Sequence, residues 1–195
     1  IFYVFFDDNQ RIYTQISNVP MQEKPFFLDE NCRTTQCIHD AMMPYARVQD
    51  DIIALGPEGR PVERIPAETE QEAKDALRKV LHRLINAEGV SPDDIVVLTP
   101  TRRKSIWEDD EQLGNFILTW DLDTEMSNAI RVTTVHSYKG LETAVVILTE
   151  LDKAPDEIRD QLIYVGLSRA RNHVVVIGEL PPPTTVEQAD ESASL

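Results

Sequence analysis

Between Val132 and Glu142 the chain reads V-T-T-V-H-S-Y-K-G-L-E. A β-branched run delivers His136, Lys139, Gly140 and Glu142 into one short loop. An ammonium at Lys139 could meet a phosphate, a carboxylate at Glu142 could accept from a sugar hydroxyl, and Gly140 permits a tight backbone path. Taken alone, the same residues also suit a plain solvated loop. Asp160 to Arg171 reads D-Q-L-I-Y-V-G-L-S-R-A-R. Helical periodicity places Arg169 in the middle of the apolar stripe of Ile158, Leu162 and Val165, with Arg171 roughly opposite. A guanidinium on a buried stripe must leave the helix end toward a cleft or find an anion, because an unpaired buried charge is costly. Its planar fork suits phosphate, and a structural ion pair with an acidic neighbour is the alternative.

Three further groups stand near expected strand or helix ends by pattern. Gln10 and Tyr13 follow the apolar run Ile1–Phe6; Gln10 could sense a phosphate or a water, and Tyr13 could stack on a base. Arg33, in N-C-R-T-T (Asn31–Thr35), stands at a helix start, where anions are favoured. Arg102, Arg103 and Lys104 form the one dense basic cluster, with Trp107 close behind as a candidate stacking ring. Each also has a plain structural reading. There is no G-x-x-x-x-G-K-[ST], G-x-G-x-x-G or G-x-S-x-G anywhere. Cys32, Cys37 and His39 lack an evident fourth ligand, so no metal site is expected.

These residues need a frame. The runs Ile1–Phe6, Ile95–Leu98, Ala144–Leu148 and Val174–Gly178 are apolar throughout, which marks strands buried on both faces. Ile130–Val135 is a further strand, Leu113–Trp120 a strand or edge, and Ile52–Leu55 with Val62–Ile65 suggests a hairpin. Glu68–Glu88 carries Ala73, Leu77, Val80, Leu81, Leu84 and Ile85 three or four apart and ends at Gly89, a helix. Asn31–Tyr45 and Asp156–Ala170 read as two more. Both-face apolar strands separated by helices predict an α/β, three-layer domain with a mainly parallel sheet. Ligands in such sheets gather at the carboxyl ends of the strands, which singles out the loops after Phe6, Leu98, Val135 and Gly178.

The whole chain has 195 residues, a formal net charge of −15 and 42% apolar residues. That supports a sizeable core and argues against a protein that coats nucleic acid through charge alone, though not against a local basic track. No apolar run reaches the roughly 18 residues of a spanning helix, so no membrane association is expected. Two cysteines make no disulfide framework, which suggests a reducing, cytoplasmic setting.

The order of the motifs is more specific than any one of them. Q-x-I-Y, N-x-R-T-T, T-V-H-x-x-K-G-L-E and Y-V-G-L-S-R-A-R, spread over residues 5–178, resemble the later motifs of superfamily 1 (UvrD/Rep-like) helicases. Departures are Asp7-Asp8-Asn9 where the family has Gly-Asp, and Gly166 and Ser168 where it has Ala and Thr. The resemblance implies the second of two RecA-like domains, in a compact form without a large inserted subdomain. Such a pair closes on ATP and Mg2+ and walks along single-stranded DNA, RNA not being excluded. It also implies roles: Arg169 and Arg33 aimed at the γ-phosphate, Gln10 coupling that phosphate to the strand path, and Glu142 on the ribose. Thr134, His136 and Lys139 would line and couple the strand path. Residues 1–20 would then end the first RecA-like domain, residues 21–180 form the second, and residues 181–195 a polar tail. The phosphate loop and the magnesium ligands would belong to the first domain, leaving this chain inactive alone. The alternative is a RecA-like module that binds nucleic acid or protein without hydrolysis.

Overall fold

A computed structural model describes residues 8–10, 28–48, 52–107, 111–121 and 128–184. Tyr13 and the run Ile1–Phe6 lie outside them. In chain order the elements are β1 (Glu30–Asn31), α1 (Gln36–Met42), β2 (Ile53–Ala54), β3 (Glu63–Ile65), α2 (Glu70–Leu81), β4 (Ile95–Thr99), β5 (Glu111–Leu113), β6 (Phe116–Thr119), β7 (Ala129–Thr134), β8 (Thr143–Thr149), α3 (Arg159–Leu167) and β9 (Ala170–Ile177). Among the described residues β3 to β9 form one seven-stranded sheet, ordered β3-β9-β8-β4-β7-β6-β5. Every neighbour is parallel except the β5–β6 hairpin. This is the expected α/β architecture with a mainly parallel sheet.

Side-chain alternation sorts the core into two layers. Val96, Leu98, Val146, Leu148, Val174 and Val176 face α1 and α3. Ile95, Val97, Val145, Ile147, Val175 and Ile177 face α2. Covering both faces is why these strands carry no polar alternation. Helix α2 forms because its apolar stripe has a capped start: Thr69 Oγ1 accepts from the Glu72 amide, and Glu72 Oε2 accepts from the Glu68 amide at 2.8 Å.

Several boundaries differ from expectation. Residues 52–55 and 62–65 make no hairpin: β2 pairs in parallel with β1, and β3 pairs in parallel with β9. Pro57 and Pro61 keep the two segments from pairing with each other. Helix α1 starts only at Gln36, because Thr35 is its N-cap, and it gives way to a tight 3-10 turn at Met43–Tyr45 around Pro44. After Leu81 the expected long helix continues as a wider π turn, His82–Ala87. Helix α3 stops at Leu167, and the last strand starts earlier than the apolar run, at Ala170. Residues 181–184 of the expected tail are tied to the domain: Tyr45 Oη donates to the Pro181 carbonyl at 2.7 Å, and the Thr184 amide to Asp160 at 2.8 Å. Among the described residues no helix is long and apolar enough to cross a membrane.

Candidate functional site

Arg169 does not ride the apolar stripe of α3. Ser168 caps that helix, and Arg169 occupies the turn between it and β9. The sheet sets this boundary: the Arg169 carbonyl accepts from the Thr143 amide at 3.0 Å, which draws the chain into the β8–β9 pairing one residue before Ala170. The turn tucks the guanidinium inward, leaving the residue 2% exposed. Nε donates to the Val165 carbonyl at 3.2 Å, Nη1 to the Leu141 carbonyl at 3.3 Å, and Nη2 to Ser168 Oγ at 3.0 Å and Gln10 Oε1 at 2.9 Å. Four acceptors thus hold the fork in one orientation.

The loop from β7 to β8 reaches the same place. It leaves the carboxyl end of β7, where the Val135 amide donates to the Thr99 carbonyl. It then crosses the α1/α3 face, burying Val135 and Tyr138, and enters the amino end of β8. Gly140 turns it with φ of 89°, a left-handed value that glycine adopts freely. Lys139, Gly140, Leu141 and Glu142 are exposed there. Glu142 lies 4.0 Å from Arg171, a loose pair with both side chains about half exposed. Gln10, Glu142 and Arg169 therefore converge at the amino ends of β8 and β9. The expectation that all ligand loops lie at the carboxyl edge is corrected on this point. The crossover of β7–β8 carries the motif from one edge of the sheet to the other, and Arg169 precedes its strand.

The carboxyl edge holds a second group. At the end of β7, Thr134 Oγ1 accepts from the Ser137 amide at 3.1 Å and bonds Ser137 Oγ at 3.0 Å, closing a tight turn. His136 lies within that turn, its pKa lowered by burial and then by the charge of Lys139. Beyond β4, Arg102, Arg103 and Lys104 are exposed. The Arg102 guanidinium lies over the Trp120 ring, 4.9 Å from its centroid. Trp107, expected as the stacking residue, is instead 2% exposed and part of the α2-side core; its place at the surface is taken by Trp120. Trp120 and the buried Glu150 are the residues that sequence reasoning passed over. Glu150 had a signal, a carboxylate two residues after the all-apolar run Ala144–Leu148.

Arg33 is exposed in the turn before α1, and among the described residues no hydrogen bond or ion pair joins it to Arg169. Asn31 organises that turn: its Oδ1 accepts from the Arg33 amide at 3.1 Å, and its Nδ2 donates to Thr34 Oγ1 at 2.9 Å. Cys32 and Cys37 are free thiols. Among the described residues no group of three or more His, Cys, Asp or Glu could hold a metal ion.

Comparison with known proteins places this geometry. Residues 129–177, the stretch from β7 through β9, match the family model of the UvrD-like helicase C-terminal domain. The C-terminal domain of a possible DNA helicase from Lactobacillus plantarum WCFS1 shares the fold, with a TM-score of 0.56 and 17% identity, over 75% of this chain and 86% of that one. The PRRSV nsp10 helicase aligns at a TM-score of 0.40 and 19% identity, over 76% of this chain and 23% of that one, too distant to carry an argument. No curated protein matches. The segment that carries Thr134, Glu142 and Arg169 thus matches the UvrD-like helicase C-terminal domain model, on a chain whose fold is similar to that of a helicase C-terminal domain.

Proposed function

We propose that this chain is the second RecA-like domain of an ATP-dependent motor that moves on single-stranded DNA. The observation that carries the reading is the 2.9 Å bond between Arg169 and Gln10, which joins two motif residues far apart in sequence at one edge of the sheet. Phosphoryl transfer needs positioned charge more than covalent help, and an arginine aimed at the developing charge is worth roughly 10³ or more in rate.

In this reading Arg169 and Arg33 serve the γ-phosphate, and Gln10 holds the Arg169 fork until a phosphate replaces the amide oxygen. Glu142 accepts from the ribose, with Gly140 and Lys139 beside it. Thr134, His136, Arg102 and Arg103 serve the single strand at the opposite edge, and Tyr13 adds a base contact. The exposed Glu142 carboxylate and Lys139 ammonium, beside the buried Arg169 guanidinium, fit a nucleotide by their chemistry. By the family resemblance, the magnesium ligands are assigned to the first RecA-like domain, the partner that closes the site. When bound, ATP supplies the phosphoryl group whose transfer drives the motor.

The test is ATP hydrolysis by this chain joined to the RecA-like domain that carries the phosphate loop in its parent. It is run with and without single-stranded DNA, beside Arg169→Ala and Arg169→Lys. Strand-stimulated turnover that falls about 10³-fold in both variants is expected. Absence of turnover in the folded two-domain protein would leave a non-hydrolysing binding module.

A further inference from the structure

Glu150 follows β8 at the carboxyl edge of the sheet and is 7% exposed. Its φ of 58° is the one positive value at a non-glycine among the described residues. A left-handed backbone at such a residue costs about 1–2 kcal/mol, and a buried carboxylate must be hydrogen-bonded to be tolerated. What compensates both is the loop 100–107. Ser105 Oγ donates to Glu150 Oε2 at 2.6 Å, and the Ile106 amide donates to Oε1 at 3.0 Å. Lys153 Nζ donates to the same carboxylate and, at 2.8 Å, to the Lys104 carbonyl. The loop so held lays Arg102 on Trp120, whose Nε1 donates to the Trp107 carbonyl at 3.0 Å.

We propose that Glu150 is a positioning residue that locks the Arg102–Lys104 loop and Trp120 into a platform for one nucleotide of a single strand. The base stacks on the Arg102 guanidinium plane, itself backed by the indole, and the flanking phosphates meet Arg103 and Lys104. The carboxylate acts through order: a loop fixed before binding loses less entropy when the strand arrives. It also explains how a chain of net charge −15 keeps a dense basic loop at this edge, since the acid that anchors the loop is buried beneath it rather than displayed beside it. The proposal rests on the single-strand reading given above.

The experiment uses the two-domain protein and a fluorescein-labelled oligothymidylate, read by anisotropy, with Glu150→Ala, Glu150→Gln, Ser105→Ala and Arg102→Ala. Thermal melts followed by circular dichroism establish that each variant is folded. Trp107 and Trp120 both belong to the locked unit and are the only tryptophans of this chain. Their emission, isolated by replacing tryptophans of the first domain with phenylalanine, reports the lock without any strand. Glu150→Ala and Ser105→Ala are expected to shift that emission to the red and to weaken binding about tenfold, the worth of a charge-assisted hydrogen bond. Glu150→Gln recovers part of the loss, and adding Arg102→Ala to Glu150→Ala weakens binding no further. Unchanged emission and affinity in both Glu150→Ala and Ser105→Ala, or losses from Glu150 and Arg102 that simply add, would overturn the platform alone. A wild type that binds no oligonucleotide would sink the single-strand reading and the platform with it.

Discussion

Arg169 Nη2 donates to Gln10 Oε1 at 2.9 Å across a separation of 159 residues. The amide oxygen occupies the sort of position an anion would take against a guanidinium. The pair is expected to be energetically coupled. Gln10→Ala and Arg169→Lys, singly and together in chemical denaturation, should give losses that fall short of additivity by about 0.5–3 kcal/mol, the range for groups sharing one network. Strict additivity would mean that the bond contributes nothing to the folded state.

Gly166 and Gly140 test two different uses of glycine. A Cβ at Gly166 would stand 2.7 Å from Leu148 Cδ2, in the layer between α3 and β8. Gly166→Ala gains about 1 kcal/mol of helix propensity and loses about 1–3 kcal/mol to overpacking, so a net loss is expected. Pairing it with Leu148→Val should recover the overpacking part. At Gly140 a Cβ meets nothing within 4 Å, but φ is 89°. Gly140→Ala should cost about 1–2 kcal/mol through the backbone alone, with no partner substitution able to restore it. Urea denaturation of the three variants separates the two cases.

Acid sensitivity should trace to buried imidazoles. Burial lowers the pKa of His173, the nearby Glu63 carboxylate acting against that shift and Arg60 and Arg83 with it. Its Nε2 lies 3.6 Å from Glu63 Oε2, and Nδ1 is buried with no hydrogen-bond partner among the described residues. A folded pKa below the unfolded value of 6.5 means that the unfolded chain takes up the proton first. The stability contributed by neutral His173 is therefore full above about pH 6.5 and is lost as pH falls through the folded pKa. His136 has the same sign. Glu63, lowered first by its hydrogen bond from Arg83, adds a loss that begins only below the ordinary glutamate value of 4.5. His173→Leu should flatten the decline of unfolding free energy between pH 7 and 5 and leave the decline below 4.5 in place. An unchanged slope between pH 7 and 5 would assign it to other groups.

The start of α2 should depend on its cap. Thr69→Ala removes the Oγ1 that accepts from the Glu72 amide at 3.2 Å and should cost about 1 kcal/mol, with Thr69→Ser close to wild type. The melting temperature of the three proteins checks it.

The architecture and the motifs were legible in the residues alone. Both-face apolar runs such as Ile95–Leu98 and Val174–Ile177 leave no choice but a sheet covered on two sides, and the periodicity of α2 follows from Ala73, Leu77 and Val80. Residue types and order also marked Gln10, Arg33, Glu142 and Arg169. Where those residues stand followed from long-range packing. Helical periodicity carried α3 past Leu167 because local pattern knows nothing of the Thr143–Arg169 backbone bond that ends it. The pairing of residues 62–65 with β9 rather than with 52–55 depended on a partner more than a hundred residues away. Trp107 and Trp120 look alike in sequence, and only packing against α2 buried one and left the other beneath Arg102. In each case the deciding contact is long-range, and its energy enters only once the sheet has formed.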